Sequence, residues 1–208
     1  MAKDLVLTNT KNCGQLFVLD GPSAAGKTTL ALKIAANLPG FEFVKRYTTR
    51  DSRNVESEDD EYIFVDHDHF VRMAKSDAFI EYRDYKFGMS YGIPWGGVNK
   101  VINAGHNAIG IINLDRIQVL KSRFPEAVAI LIDVDPKVLE QRLAARGTHT
   151  DEQIAERLQS ARAVDSLRRH YDHVVRNDGD LAETFAELEG IVRHHVNDPW
   201  QQRGSADV

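Results

Sequence analysis

Leu16-Phe17-Val18-Leu19-Asp20-Gly21-Pro22-Ser23-Ala24-Ala25-Gly26-Lys27-Thr28-Thr29 decides how this chain folds. The first four residues are an apolar run of strand length that stops at Asp20-Gly21-Pro22, and over 28–38 the apolar residues recur at helical spacing. The stretch therefore reads as strand, glycine loop, helix. Within it, residues 21–28 satisfy G-x-x-x-x-G-K-[ST] without substitution. Glycines let such a loop wrap so that successive backbone N–H groups, here from Gly21 and Ser23 through Ala24, Ala25 and Gly26 to Thr28 and Thr29, turn inward on a polyphosphate. The helix N-terminus adds its positive end. Lys27 is placed to bridge the β- and γ-phosphates, and the Thr28 hydroxyl to ligate Mg²⁺. The motif implies that a nucleoside triphosphate binds and leaves open what receives the phosphate.

Outward from this unit the same alternation continues. Apolar runs at 41–44, 108–112, 128–134 and 173–175 read as buried strands, and 98–103, 114–123, 137–146, 151–169 and 181–195 read as helices. Strands alternating with helices imply a parallel sheet covered on both faces. Residues 50–89 break the pattern with many acids, aromatics and short apolar runs, and read as a small insertion on the sheet. A hydrophilic stretch at 147–152, between two Arg-bearing helices, has the character of a mobile cover over a site. The end of the chain, 198–208, reads as a frayed tail.

The chain has 208 residues, 42% hydrophobic, with 31 acidic residues against 26 Lys and Arg. That length buries roughly 70% of the unfolded surface, so one domain can stand without staples. The apolar fraction and mixed charge exclude a collagenous or disordered chain. Cys13 has no partner for an intramolecular disulfide, fits a reducing compartment, and reads as an apolar filler beside the first strand. No run approaches the roughly 20 apolar residues of a membrane span, and Met1 to Asp4 lacks a signal-peptide pattern. The expectation is a cytoplasmic protein that binds neither membrane nor nucleic acid, since a net charge of −5 disfavours the latter. A monomer and a homodimer both remain open.

Against that acidic background, Lys45-Arg46-Tyr47-Thr48-Thr49-Arg50-Asp51-Ser52-Arg53 carries four cations in nine residues. Guanidinium forks grip phosphate oxygens, so the cluster predicts a second anion site facing the first.

With these residues in view, the chain resembles the guanylate kinase family over nearly its whole length. The resemblance rests on G-P-S-A-A-G-K-T at 21–28, T-T-R-x-x-R at 48–53, Y-x-F-V at 62–65, F-I-E at 79–81 and Y-G at 91–92. It continues with R-L-x-x-R-G at 142–147, R-L at 157–158 and N-D at 177–178. It implies a three-layer α/β P-loop NTPase fold with a parallel sheet, as one domain over 1–208. The core would be 14–44, 96–142 and 163–196, the acceptor-binding insertion 45–95 and the lid 143–162. It further implies a phosphotransferase using ATP and Mg²⁺ on a small phosphorylated acceptor, GMP or dGMP first. Arg50, Arg53, Tyr62 and Tyr91 would hold the acceptor's phosphate, Glu81 the guanine edge, Arg146 and Arg157 would close on the triphosphate, and Asn177 would lie beside the adenine.

The chain also departs from that family. Arg46 stands where a serine is usual and Ile93 where a small hydroxyl residue is usual, both positions that help read guanine. Asn113 replaces a strand-end acid, with Asp115 two residues on in a substrate or Mg²⁺ role, and Val164 replaces a glutamate of the second cover helix. Arg46-Tyr47-x-Thr49-Arg50-Asp51, Tyr91-Gly92-Ile93-Pro94, Asn113-x-x-Arg116 and Asn177-Asp178-Gly179 are similar instead to ribose 1,5-bisphosphate phosphokinases, and the extra cation Arg46 suits a bisphosphate acceptor. A non-catalytic protein-binding module, the third reading, usually goes with a damaged phosphate loop, which this chain does not have.

Elsewhere, Asp66-His67-Asp68-His69 is too compact to aim four side chains at one metal ion, and reads as the cap of a helix opening at Phe70. The acids of 58–61 read as a solvated face, His194 and His195 as exposed, and Trp95 and Trp200 as packing residues.

Overall fold

In the computed structural model the described residues are 14–51, 61–85, 89–113, 115–145, 150–162 and 164–197. Cys13, Arg53, Arg146, Trp200, 147–149 and the tail lie outside them. Five strands, β1 (Leu16–Asp20), β2 (Phe41–Phe43), β7 (Asn107–Ile111), β8 (Val128–Asp133) and β9 (His173–Arg176), form a sheet in the order β2-β7-β1-β8-β9. Every pairing in it is parallel.

Two apolar cores show why these strands read as continuous hydrophobic runs. Phe17 and Leu19 of β1 with Ile130 and Ile132 of β8 face one core, while Leu16 and Val18 with Ala129 and Leu131 face the other. Successive strand side chains point to opposite faces, so burying both faces demands apolar residues at every position. The first face is covered by α1 (Lys27–Asn37), α5 (Pro136–Ala145) and α8 (Leu181–Asn197), through Leu30, Ile34, Leu139, Leu143, Leu188 and Val192. The second is covered by α3 (Trp95–Asn103) and α4 (Ile117–Arg123), through Val98, Ile102, Ile117 and Leu120. The molecule is thus a three-layer α/β fold with the phosphate loop leaving the C-terminal end of the central strand.

A second sheet of four strands, β3 (Arg46–Thr48), β4 (Tyr62–Phe64), β5 (Phe79–Asp84) and β6 (Ser90–Pro94), has the order β4-β3-β6-β5 and mixes parallel with antiparallel pairs. Helix α2 (His67–Lys75) packs on it, with Phe70 stacked on Phe79 at 4.7 Å between ring centroids. Gly92 is required in β6, because a Cβ there would lie 2.8 Å from the Phe79 ring and 3.0 Å from the Tyr82 Cβ.

Several helices differ from the sequence expectation at their ends. The 98–103 helix opens at Trp95, and the Asp66 cap accepts the His69 N–H at 2.6 Å so that α2 opens at His67, three residues before Phe70. The 114–123 helix starts only at Ile117, since Asp115 has φ 74° and Arg116 N–H returns to Asn113 O in a tight turn. Of the helix expected over 151–169, the described residues are helical over α6 (Asp151–Arg162) and α7 (Val164–Leu167), and the end is a 3₁₀ turn (Arg168–His170) instead. His195 is half-buried rather than exposed: its ring meets Phe17 edge-on and its Nε2 lies 2.7 Å from His173 Nε2. Trp95 packs on Phe124, with Arg123 over its ring, as a packing residue does.

Candidate functional site

The site is built at the C-terminal end of β1, where ligands collect in open parallel sheets. Gly21 has φ 144°, and a Cβ on it would lie 2.3 Å from Ile132 O; Ala24 and Gly26 are left-handed at φ 67° and 88°. These three conformations bend the chain into a loop that ends on the first turn of α1. Lys27 lies folded back across it, its Nζ donating to Gly21 O and Pro22 O, both at 2.7 Å. Asn177 braces the loop from beneath: its Nδ2 donates to Ala25 O at 2.8 Å, and its Oδ1 accepts from Thr184 at 3.0 Å. The Asn177 amide is therefore engaged in holding the loop. Ser23 and Thr29 lie on its rim, half-buried and exposed.

Across from the loop stands a stack of cations and rings. The Arg46 guanidinium lies over Tyr62 at 5.1 Å and over Tyr91 at 5.5 Å, and Arg50 lies over Tyr62 at 5.2 Å and over Phe64 at 5.7 Å. Arg46 also donates to Tyr62 Oη at 2.9 Å and to Asn113 Oδ1 at 3.4 Å. The Tyr62, Phe64 and Tyr91 ring faces and the Tyr62 hydroxyl hold the two guanidinium groups side by side, and guanidinium forks are suited to phosphate oxygens.

Glu81 closes the inner end of this stack. It is 1% exposed, accepts from Asn113 Nδ2 at 3.4 Å, and has its Oε2 3.9 Å from Arg116 Nε. Neither Glu81 Oε2 nor Arg116 Nε has a hydrogen-bond partner among the described residues. Burial pushes the Glu81 carboxyl up to about 8, against the opposing pull of Arg46, Arg116 and Asn113. A carboxyl with an unused oxygen is what a base edge carrying adjacent N–H groups needs. Ile93 stands opposite Glu81 in the β5–β6 ladder and is wholly buried in the second core, its Cδ1 3.8 Å from where a Gly110 Cβ would be.

Asp115 pairs with Arg83 of β5 at 2.9 Å. Arg157 is half-buried on α6, whose Ile154, Leu158 and Ala161 pack on the first core. Val164, where an acid is usual, is buried in the second core.

Four participants were not among the residues expected from sequence. Tyr85 donates to Asn113 Oδ1 at 3.3 Å, and Arg116 faces Glu81. Glu61, read as part of a solvated acidic face, instead accepts the Thr28 hydroxyl at 3.2 Å. Asp20, completely buried at the end of β1, accepts the Tyr171 hydroxyl at 2.5 Å. The sequence does carry a signal for Asp20, an acid closing an otherwise apolar strand.

The guanylate kinase family profile matches residues 13–195. The chain belongs to that family. It is 37% identical over 184 residues to the guanylate kinase of Symbiobacterium thermophilum, covering 86% of this chain and 84% of the relative. To the guanylate kinase of Trichodesmium erythraeum it is 36% identical over 183 residues, covering 87% and 97%. The crystal structure of guanylate kinase from Anaplasma phagocytophilum superposes with a TM-score of 0.70 at 25% identity, over 93% of this chain and 92% of that one. Family membership fixes the fold as that of a P-loop NTPase. Among the described residues no helix is long and apolar enough to cross a membrane.

Proposed function

We infer that this chain is an ATP-dependent phosphotransferase that moves the γ-phosphate of ATP onto the phosphate of GMP or dGMP. One conjunction carries the reading: an unbroken phosphate loop with Lys27 lying across it, in a member of the guanylate kinase family. The relatives named above give no support to a ribose 1,5-bisphosphate acceptor. A complete loop likewise disfavours a non-catalytic scaffold.

In this reading the backbone N–H groups of 21–28 cradle the triphosphate, and Lys27 exchanges its two carbonyl partners for phosphate oxygens. The Thr28 hydroxyl with the Glu61 carboxylate 3.2 Å away is a hard oxygen pair that would hold Mg²⁺, which would supply charge neutralisation for the triphosphate. Residues 45–95 serve as the acceptor unit. Arg50, Tyr62 and Tyr91, with Arg53 expected to join them, grip the acceptor's phosphate. Arg46 adds charge beside it, and Asp115 steadies Arg83 at the pocket's edge. Glu81, ionised, accepts from the guanine N–H edge. Residues 143–162 form the cover, carrying Arg157 and Arg146 toward the transferring group, and Asn177 keeps the loop in shape next to the adenine. The acceptor oxygen is already anionic, so no general base is needed, and catalysis rests on positioning and charge.

An ADP-release assay across GMP, dGMP, AMP, UMP and ribose 1,5-bisphosphate tests this. The highest kcat/KM belongs to GMP and dGMP; ADP release with ribose 1,5-bisphosphate alone overturns the reading. Lys27→Ala lowers kcat by roughly 10²–10³-fold or more while leaving the fold intact, and turnover within tenfold of the parent defeats the mechanism.

A further inference from the structure

Beneath the phosphate loop lies a polar pair that the transfer mechanism above does not use. Asp20 ends β1 with no exposed surface. One of its oxygens accepts the Gly21 N–H at 2.6 Å and the other accepts the Tyr171 hydroxyl at 2.5 Å. Tyr171, 9% exposed, follows the 3₁₀ turn that ends the run from α6 through α7, the segment returning from the cover. The same region of chain is seated in the second core by Val164, Leu167 and Tyr171 itself.

We propose that Asp20, held by Tyr171, is a positioning residue for the phosphate loop: it fixes the peptide between Asp20 and Gly21 and supplies the counter-charge that keeps Lys27 poised for the triphosphate. The geometry runs in an unbroken chain. Tyr171 orients the carboxylate, the carboxylate holds Gly21 N–H, and Gly21 O with Pro22 O hold Lys27 Nζ. Gly21 cannot relax by taking a side chain, because Ile132 O stands 2.3 Å from the place a Cβ would occupy. Two strong hydrogen bonds on a buried carboxyl would be costly to assemble for strand stability alone, since an apolar residue at the end of a buried strand has no desolvation to overcome.

The groups that face Asp20 are the Lys27 ammonium from α1, the Tyr171 phenol, the Gly21 N–H, Asp115 from the turn after β7 and, further off, Glu81 of β5. Burial raises the Asp20 carboxyl to about 6, while Tyr171, Lys27 and Gly21 pull it down and Asp115 pushes it up. The positioning form is the carboxylate. ATP binding therefore weakens as pH falls through about 6. Removing the Tyr171 hydroxyl removes a group that favours the carboxylate, which moves that acid limb to higher pH.

The test rests on the ATP reading above and separates from it by measuring ATP binding directly, calorimetrically and without acceptor, alongside turnover. Tyr171→Phe keeps the ring in the core and deletes only the hydroxyl. It weakens ATP binding and raises the KM for ATP by roughly tenfold, keeps the KM for GMP within about twofold, and shifts the acid limb upward. Asp20→Asn weakens ATP binding similarly and flattens the limb. Thermal unfolding checks that each variant is folded, and if Asp20→Asn does not fold, Tyr171→Phe carries the test alone. ATP affinity unchanged within about twofold in folded Tyr171→Phe, or an unshifted acid limb, overturns the positioning role. A parent chain that binds no ATP at all instead defeats the functional reading on which the role rests.

Discussion

Glu81 is where the chemistry of this site is most sensitive to solution conditions. Its carboxyl is raised to about 8 by burial, well above the value of 4.5 for the free side chain. The folded state therefore holds its proton more tightly than the unfolded chain, and stability present below about 4.5 is lost as pH rises through about 8. Glutamine mimics the protonated form, so Glu81→Gln gains in melting temperature relative to the parent at pH 8.5 and not at pH 4; an unchanged difference across that range contradicts the buried-acid picture. Acceptor binding runs the other way, because only the carboxylate accepts from adjacent N–H groups. The KM for GMP falls from pH 6.5 to 8.5 in the parent, and Glu81→Gln raises it by roughly tenfold and removes the trend. At this scale the sequence located Glu81 through F-I-E, and it gave no sign of Arg116 and Tyr85 as neighbours. They lie 35 and 4 positions away in the chain and meet Glu81 and Asn113 only because β5 and the turn after β7 converge.

Among the elements, α2 and β1 separate what local rules decide from what they do not. Asp66 as N-cap follows from short-range hydrogen bonding alone, and the structure has its side chain on the His69 N–H. Asp66→Ala costs about 1 kcal/mol of stability by denaturant unfolding, whatever divalent metal is added. Metal-dependent stability would instead revive a metal role for 66–69. The strands of the parallel sheet were legible because both faces are buried, so the pattern is a plain apolar run. The helix expected over 151–169 tightens at its end, where Arg168–His170 form a 3₁₀ turn before Tyr171. Along this stretch Ile154 and Leu158 pack on the first core, while Val164, Leu167 and Tyr171 pack in the second.

For the molecule as a whole, the acidic balance of −5 coexists with a site that brings Lys27, Arg46 and Arg116 close to the buried acids Asp20 and Glu81, with Arg50 stacked beside Arg46 on Tyr62. A ligand that bridges those cations and binds only the folded state stabilises it by mass action. MgATP at about a hundred times its dissociation constant adds about 2.7 kcal/mol, or roughly 5–10 °C of melting temperature for a chain of this size. Lys27→Ala loses most of that shift while its ligand-free melting temperature stays near the parent's, and an equal shift in both would remove Lys27 from the triphosphate site.

By itself the sequence determined the phosphate loop, the alternation of strands and helices, the cation cluster at 45–53 and the family. Each rests on neighbours in the chain, where spacing and side-chain type are sufficient. Only the tertiary structure decided that Arg46 lies between Tyr62 and Tyr91, that Glu81 is sealed beneath Asn113 and Arg116, and that Asp20 meets Tyr171 across 151 positions. A buried polar group must find its partner wherever the fold brings one, and that partner is set by the packing of the sheet and its two cores rather than by distance along the chain.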